Sequence, residues 1–214
     1  MPIAITVDQV ATLAPNVRPN YRAAFTSYGQ QVFDAFGISQ NALRTAHFMA
    51  QVLHESGGLA IEYESLNYSA ARLPVVWPTR FKPKGPLDPG DYAHNPEKLA
   101  NSVYGNRMGN AQPGDGYKFR GRGLIQTTGR DGYTEATLGV RRHFPAAPDL
   151  AADPDAVLDP AWCLAVAAAE WEDSGCNALA DKDALRAITK TINGGLIGLA
   201  ERGEWLKRTK FVWH

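Results

Sequence analysis

The 214-residue sequence has only two cysteines, Cys163 and Cys176, and no excess of either charge, since 22 basic and 22 acidic side chains cancel. Two cysteines cannot build a structural zinc site alone, and in a cytoplasmic protein the default is two reduced thiols, with a disulfide as the alternative. A neutral total removes the electrostatic case for a nucleic-acid binder or a polybasic membrane anchor. Local basic clusters such as Arg120–Arg122 and Arg141–Arg142 remain. No stretch approaches the roughly 20 apolar residues of a spanning helix. The start, Met1-Pro2-Ile3-Ala4-Ile5-Thr6-Val7-Asp8, lacks the basic segment and apolar run of a secretory signal. The expectation is a protein kept in the cytoplasm until something else releases it. Alternating strand patterns are scarce too, limited to two short candidates near residues 117–128.

What is present is a composition that can bury a proper core, 44% hydrophobic and 21% charged. The length fits a single catalytic domain over 1–214, or one domain split into two lobes around a cleft. Thr6-Val7-Asp8-Gln9 matches a capping box and opens a helix through Leu13. Tyr21, Ala24, Phe25, Tyr28 and Val32 stripe a second over 18–35, and Leu43, Ala46, Ala50 and Leu53 a third over 41–56. Further helices are predicted near 95–104, 161–173, 183–192 and 199–212. Pro74, Pro78, Pro83, Pro86 and Pro89 make 74–92 non-helical, and six glycines do the same for 105–123. Their aromatic content argues that these loops are ordered. The class reads as mainly α with long ordered loops.

The third helix ends in His54-Glu55-Ser56-Gly57-Gly58, which places Glu55 in its last turn, where the helix macrodipole disfavours a carboxylate. Glu64 follows nine residues later, flanked by Tyr63 and Tyr68. Two carboxylates in unlike environments suit glycoside hydrolysis, one protonated and one ionised. A general acid working near neutral pH needs a pKa roughly two units above the reference of about 4.3, close to 3 kcal/mol. A helix C-terminus supplies at most about 1 kcal/mol, so burial of Glu55 in an apolar wall must provide the rest. A surface glutamate in a frayed turn is the competing reading of Glu55. A solvated acidic loop competes for Glu64, and Glu62 is an alternative functional carboxylate.

Two further segments carry polar groups. In Gly121-Arg122-Gly123-Leu124-Ile125-Gln126-Thr127-Thr128-Gly129, glycines flank Arg122 in a way that suits a turn aiming it into a cleft, while Gln126, Thr127 and Thr128 could bond sugar hydroxyls or a water. Asn193 closes Ile192-Asn193-Gly194-Gly195, where helix capping alone would also explain it. No metal is expected: four residues after His54 stands Gly58, which breaks the zincin spacing, and His94, His143 and His214 form no visible cluster.

Taken in order, His54-Glu55-Ser56-Gly57-Gly58, Glu64, Gly121–Thr128 and Ile192–Gly195 resemble glycoside hydrolase family 19 over about residues 40–210. Asn67-Tyr68-Ser69-Ala70 after the second glutamate is more similar to the bacteriophage endolysin branch than to plant chitinases. The resemblance implies a lysozyme-like fold of two helical lobes flanking a glycan-binding cleft, and an inverting mechanism without cofactor. It implies Glu55 as general acid, Glu64 as general base and Thr128 as holder of the attacking water. His54, Asn67, Tyr68, Arg122, Gln126, Tyr133, Asn193 and Arg202 are implied along the substrate path, with Arg202 tuning the acid. Plant members often carry an acidic residue where Ile197 stands here, so the charge network around Arg202 must differ. The expected role is a monomeric endolysin cutting the β-1,4 strands of peptidoglycan. It would wait in the host cytoplasm, without membrane or nucleic-acid association, until a separate pore-forming protein admits it to the wall. A chitinase is the alternative enzyme, and a catalytically inactive glycan-binding module the alternative of another class.

Overall fold

A computed structural model describes residues 2–214, and the fold is mainly α, as expected. In chain order the helices are α1 (Val7–Leu13), α2 (Pro19–Ala35), α3 (Ala42–Glu55), α4 (Leu73–Val76), α5 (Pro96–Tyr104), α6 (Asp115–Lys118), α7 (Gly129–Arg141), α8 (Cys163–Asp173), α9 (Cys176–Ala180), α10 (Leu185–Asn193) and α11 (Leu199–Val212). Short 3-10 turns lie at Ile38–Gln40, Pro89–Asp91 and Pro154–Leu158.

The capping box at Thr6 forms as its sequence dictates, with the Gln9 backbone N–H on the Thr6 hydroxyl and the Gln9 side chain on the Thr6 backbone N–H. Asn41 caps α3 by accepting from the Arg44 N–H at 2.9 Å. Several expectations are corrected. The short α4 and α6 lie inside the segments read as non-helical, α4 because Pro74 stands in its first turn, where the missing N–H is not needed. The two strands near 117–128 reduce to a single antiparallel bridge between Arg122 and Thr127. Helices α7 and α9 were not foreseen from the sequence. In α7, Gly129, Gly132 and Gly139 lower the intrinsic helix preference. Gly139 has a packing reason, because a Cβ there would stand 2.9 Å from the Ala169 Cβ.

The chain forms two compact units: Met1–Glu62 with Arg122–Thr127 and Thr134–His214, and Tyr63–Gly121 with Thr128–Tyr133. In the first, α3 is buried along most of its length, and Leu206 and Trp205 of α11, with Leu185 of α10, pack on its Ala46 and Ala50. Phe33, Phe48 and Trp171 continue this core in edge-to-face steps of 5.2 and 5.6 Å. Both cysteines are buried free thiols here. The second unit has its own core of Leu66, Leu73, Phe81, Leu99, Ala100 and Val103, ringed by partly buried aromatics including Tyr68, Trp77, Tyr92 and Tyr104. The aromatic residues that argued for order in the proline-rich loop are the ones that pack it.

Candidate active site

In the first unit, Glu55 is the last residue of α3, and a two-glycine stop fixes it there. Gly57 and Gly58 both adopt left-handed φ, and their N–H groups donate to the His54 and Leu53 carbonyls at 3.3 and 2.7 Å. This is the Schellman closure, which satisfies the last carbonyls and holds the helix end rigid. The frayed-turn reading of Glu55 is thereby set aside. Its side chain is 23% exposed and lines a pocket with the apolar groups of Phe48, Val52, Ile125, Ala167, Trp171 and Ile192. The apolar wall is present, but the burial is partial.

Arg202 on α11 is almost wholly buried, at 1% exposure. Its Nη2 donates to Glu55 Oε1, and its Nη1 donates to Gln51 Oε1 at 2.5 Å. Gln51 lies one turn before Glu55 on α3, so one guanidinium bridges two successive turns. The Nε of Arg202 has no partner. His54 packs against the loop before α11, where a Cβ on Gly198 would come within 2.6 Å of its Nε2. Burial first, and then the Arg202 charge, lower the pKa of His54, so its ring is neutral at neutral pH.

Two functional candidates in this unit were missed from sequence. Gln51 was hidden inside an apolar helix. Glu170 on α8 lines the Glu55 pocket, and burial followed by the charge of Glu55 pushes it up to about 7. Its side chain borders this pocket and is exposed to solvent. The available signal was a lone carboxylate after the apolar run Leu164–Ala169.

In the second unit, Glu64 is gripped at both oxygens. Tyr104 on α5 donates its hydroxyl to Oε2 at 2.7 Å, and the Gly121 N–H donates to Oε1 at 2.5 Å. The Glu64 N–H returns a bond to the Gly121 carbonyl at 3.0 Å, which locks the two segments together. Burial first, and then the Glu64 charge, push the Tyr104 phenol well above its ordinary value, so it remains a donor. The solvated-loop reading of Glu64 therefore does not describe it. Glu62, the alternative carboxylate, belongs to the first unit and lies 3.8 Å from Arg18.

The other predicted residues divide. Thr128 belongs to the same unit as Glu64, directly before α7, at a backbone turn pinned by the Gly129 N–H on the Phe119 carbonyl at 2.8 Å. Asn67 is exposed and bonds His94 at 2.8 Å, and Tyr68 stacks edge-on against Trp77. In the first unit, Gln126 takes a left-handed φ and donates to the Gly123 carbonyl, while Asn193 is exposed at the end of α10. The expectation that the flanking glycines aim Arg122 into a cleft is corrected. Arg122 is 4% exposed, and its Nε donates to Asp155 at 2.8 Å, an anchor for the loop. Tyr133 likewise is fully buried against Phe119 and donates to the Arg120 carbonyl at 2.8 Å, which makes it a core residue. Among the described residues, no group of three or more His, Cys, Asp and Glu side chains could hold a metal ion.

No family model matches the chain. A glycosyl hydrolase family 19 domain-containing protein of Haemophilus influenzae is 39% identical over 164 residues, covering 76% of each chain. The chain belongs to glycoside hydrolase family 19. This family 19 glycosidase is also similar in structure to chitinase C from Streptomyces griseus, with a TM-score of 0.63 and 18% identity over 98% of this chain and 76% of that one. A second bacterial family 19 chitinase gives a TM-score of 0.64 and 20% identity over 98% and 94%. The family 19 fold therefore carries the Glu55–Arg202 pocket in one unit and the Glu64–Tyr104 cradle in the other.

Proposed function

We propose that the enzyme hydrolyses the β-1,4-glycosidic bonds of bacterial peptidoglycan as an endolysin, with inversion at the anomeric carbon. Glu55 is the general acid that protonates the leaving glycosidic oxygen. Glu64 is the general base that takes a proton from the attacking water, which Thr128 helps to hold. The observation that carries this reading is the contrast between the two carboxylates. Glu64 is held at both carboxyl oxygens by two donors, the Tyr104 hydroxyl and the Gly121 N–H, which fix its orientation. Glu55 instead stands at the end of α3 in a largely apolar pocket, with one oxygen bonded to the buried Arg202 guanidinium.

Inversion requires roughly 6.5–9.5 Å between the two carboxyl groups in the working enzyme, to admit the water. The protein acts as a monomer held in the host cytoplasm and reaches the wall through a separate pore-forming protein. A second reading, a chitinase, has one observation in its favour: the two solved structures described above are named chitinases.

Mass spectrometry of digested peptidoglycan tests the proposal, because it reports the bond cut and the reducing-end sugar. Release of soluble sugars from colloidal chitin, without muropeptide products from peptidoglycan, favours the chitinase. Proton NMR of the first anomer released tests the mechanism, and net retention removes Glu64 from the role of base. Full lysis by both Glu55→Gln and Glu64→Gln overturns the enzymatic roles as stated.

A further inference from the structure

The loop after α5 carries polar groups that the mechanism above leaves unused. Part of residues 105–116, with Asn101 of α5, lines a groove of about 420 Å³, within the roughly 300–1,000 Å³ of small-molecule sites. Its polar walls are the carboxamides of Asn101, Asn106 and Gln112, and its apolar patches are Ala111, Pro113 and the backbone at Gly114. No charged side chain lines it. Asn101 uses only its oxygen, on the Tyr117 N–H at 2.9 Å, and the Asn106 and Gln112 side chains make no hydrogen bond to the described residues. A second concavity, of about 340 Å³, extends to Met108, whose side chain is 37% exposed. The two share Asn106 and Ala111, so they run on as one elongated track along the loop.

The loop is built to hold this surface in place. Asn106 and Met108 are non-glycine residues at left-handed φ of 57° and 50°, a conformation that persists only where neighbours enforce it. Asn110, 1% exposed, does much of this: its carbonyl accepts the Asn106 N–H at 2.8 Å, and its side chain joins the Tyr104 carbonyl and the Arg130 N–H at 3.0 and 2.9 Å. Asp115, also buried, accepts the Gln112 N–H at 2.9 Å and the Arg130 guanidinium at 2.8 Å. A Cβ on Gly116 would stand 2.6 Å from the Ala100 carbonyl oxygen, so α6 lies hard against α5. A frame fixed in this way lowers the ordering cost of binding. Each carboxamide offers both donor and acceptor, which matches the hydroxyl and acetamido groups of an amino sugar, and an uncharged lining gives no advantage to an anion or a cation. We propose that this groove is a second glycan-binding site, taking neutral N-acetylated amino-sugar units of the strand apart from the bond that is cut. Asn101 stands one turn before Tyr104 on α5, so the helix that holds Glu64 also grips the strand. The inference needs a glycan substrate, as befits a family 19 glycosidase, and is independent of the choice between peptidoglycan and chitin, because N-acetylglucosamine occurs in both.

The test titrates the isotope-labelled Glu55→Gln enzyme with N-acetylglucosamine disaccharide and hexasaccharide and follows the side-chain amides by NMR. The Asn101, Asn106 and Gln112 amide signals are expected to shift and to saturate. Adding Asn106→Gly and Gln112→Ala together should raise the midpoint of the Asn101 shift about tenfold or more, since each lost hydrogen bond is worth about fivefold in affinity. Glycine suits the left-handed φ at position 106, so the loop can keep its path. If the double substitution does not fold, Gln112→Ala alone should raise the midpoint about fivefold. Groove signals that stay still at hexasaccharide concentrations that saturate the Gly121 N–H signal beside Glu64 overturn the inference, as does an Asn101 midpoint unmoved by the substitutions. Groove signals that answer to a peptidoglycan stem peptide and not to the sugars also overturn it. Hydrolysis of the hexasaccharide by Glu55→Gln would overturn the assignment of the acid instead, while the uncut disaccharide still decides for or against the groove.

Discussion

Replacing Arg202 by methionine, which keeps much of the aliphatic volume and removes the charge, should destabilise the enzyme by about 2–3 kcal/mol. The magnitude follows from what the side chain touches. A hydrogen bond to the charged Glu55 is worth about 1.5–3 kcal/mol, and leaving the buried Gln51 oxygen without its donor costs about 1 kcal/mol more. Against these stands the partnerless Nε, whose removal returns on the order of 1 kcal/mol. Glu55 is 23% exposed and can recover some hydration, which keeps the total below the 3–5 kcal/mol typical of a fully buried pair. For a chain of this length the loss corresponds to a fall in Tm of about 5–10 °C. Glu55→Gln has the opposite defect, because it leaves the guanidinium buried without its anion. The double variant removes both charges and should recover part of the loss. The measurement is thermal and urea unfolding of the four proteins at pH 7, assembled into a double-mutant cycle. A coupling of about 2 kcal/mol is expected, whereas additivity within about 0.5 kcal/mol would refute the claim that these two groups support one another.

Other outcomes follow from the same geometry. Gly198→Ala should cost about 1–3 kcal/mol in unfolding free energy, because residue 198 has a left-handed φ of 75° and the new methyl would stand 2.6 Å from His54 Nε2; an unchanged Tm would contradict the close approach. Tyr104→Phe should lower kcat about tenfold, the rate equivalent of one hydrogen bond to a charged group worth about 1.4 kcal/mol, with little change in Tm; unaltered kcat would separate Tyr104 from the work of Glu64. Arg44 grips Asp181 with two bonds of 2.7 and 2.8 Å and holds its carboxyl at about 2, so the stability from this pair is present above the ordinary carboxylate range and is lost as pH falls from about 4 to 2. Asp181→Asn should erase that part of the acid dependence, read from Tm against pH. Glu170 has the reverse sign. Folding raises it to about 7, so it erodes stability as pH climbs from about 4.5 to 7, and Glu170→Gln should close the gap to or exceed wild-type Tm at pH 8 relative to pH 4.

Much of this molecule was legible from local rules. The capping box of α1, the Asn41 cap and the double-glycine stop after Glu55 are decided by residues within one turn of each other, and all form as the sequence suggests. Helix α7 escaped because its glycines are poor helix formers in isolation, while its buried face, Tyr133, Thr137 and Val140, includes a threonine whose hydroxyl accepts the distant Leu150 N–H. Tertiary partners of that kind leave no trace in a local window. Arg122 and Tyr133 were read outward for a similar reason. Flanking glycines suggested a cleft position for Arg122 and the family resemblance one for Tyr133, but the Asp155 and Arg120 groups that take them inward lie 33 and 13 residues away. The carboxylates Glu55 and Glu64 could be found by spacing and resemblance. Their holders Arg202 and Tyr104 stand 147 and 40 residues from them, and of these two only Arg202 was anticipated.

The second unit is assembled from two separate stretches of chain, Tyr63–Gly121 and Thr128–Tyr133. The Gly129 N–H on the Phe119 carbonyl and the Tyr133 hydroxyl on the Arg120 carbonyl stitch the short stretch to the long one. A graft that moved Tyr63–Gly121 alone into a relative would carry Glu64 and its Tyr104 and Gly121 donors but leave Thr128 and both stitches behind. Exchange of this unit between relatives therefore requires the two stretches to travel as one cassette, and a chimera joined at a single pair of breakpoints would pair the Thr128 stretch of one parent with the Glu64 stretch of the other.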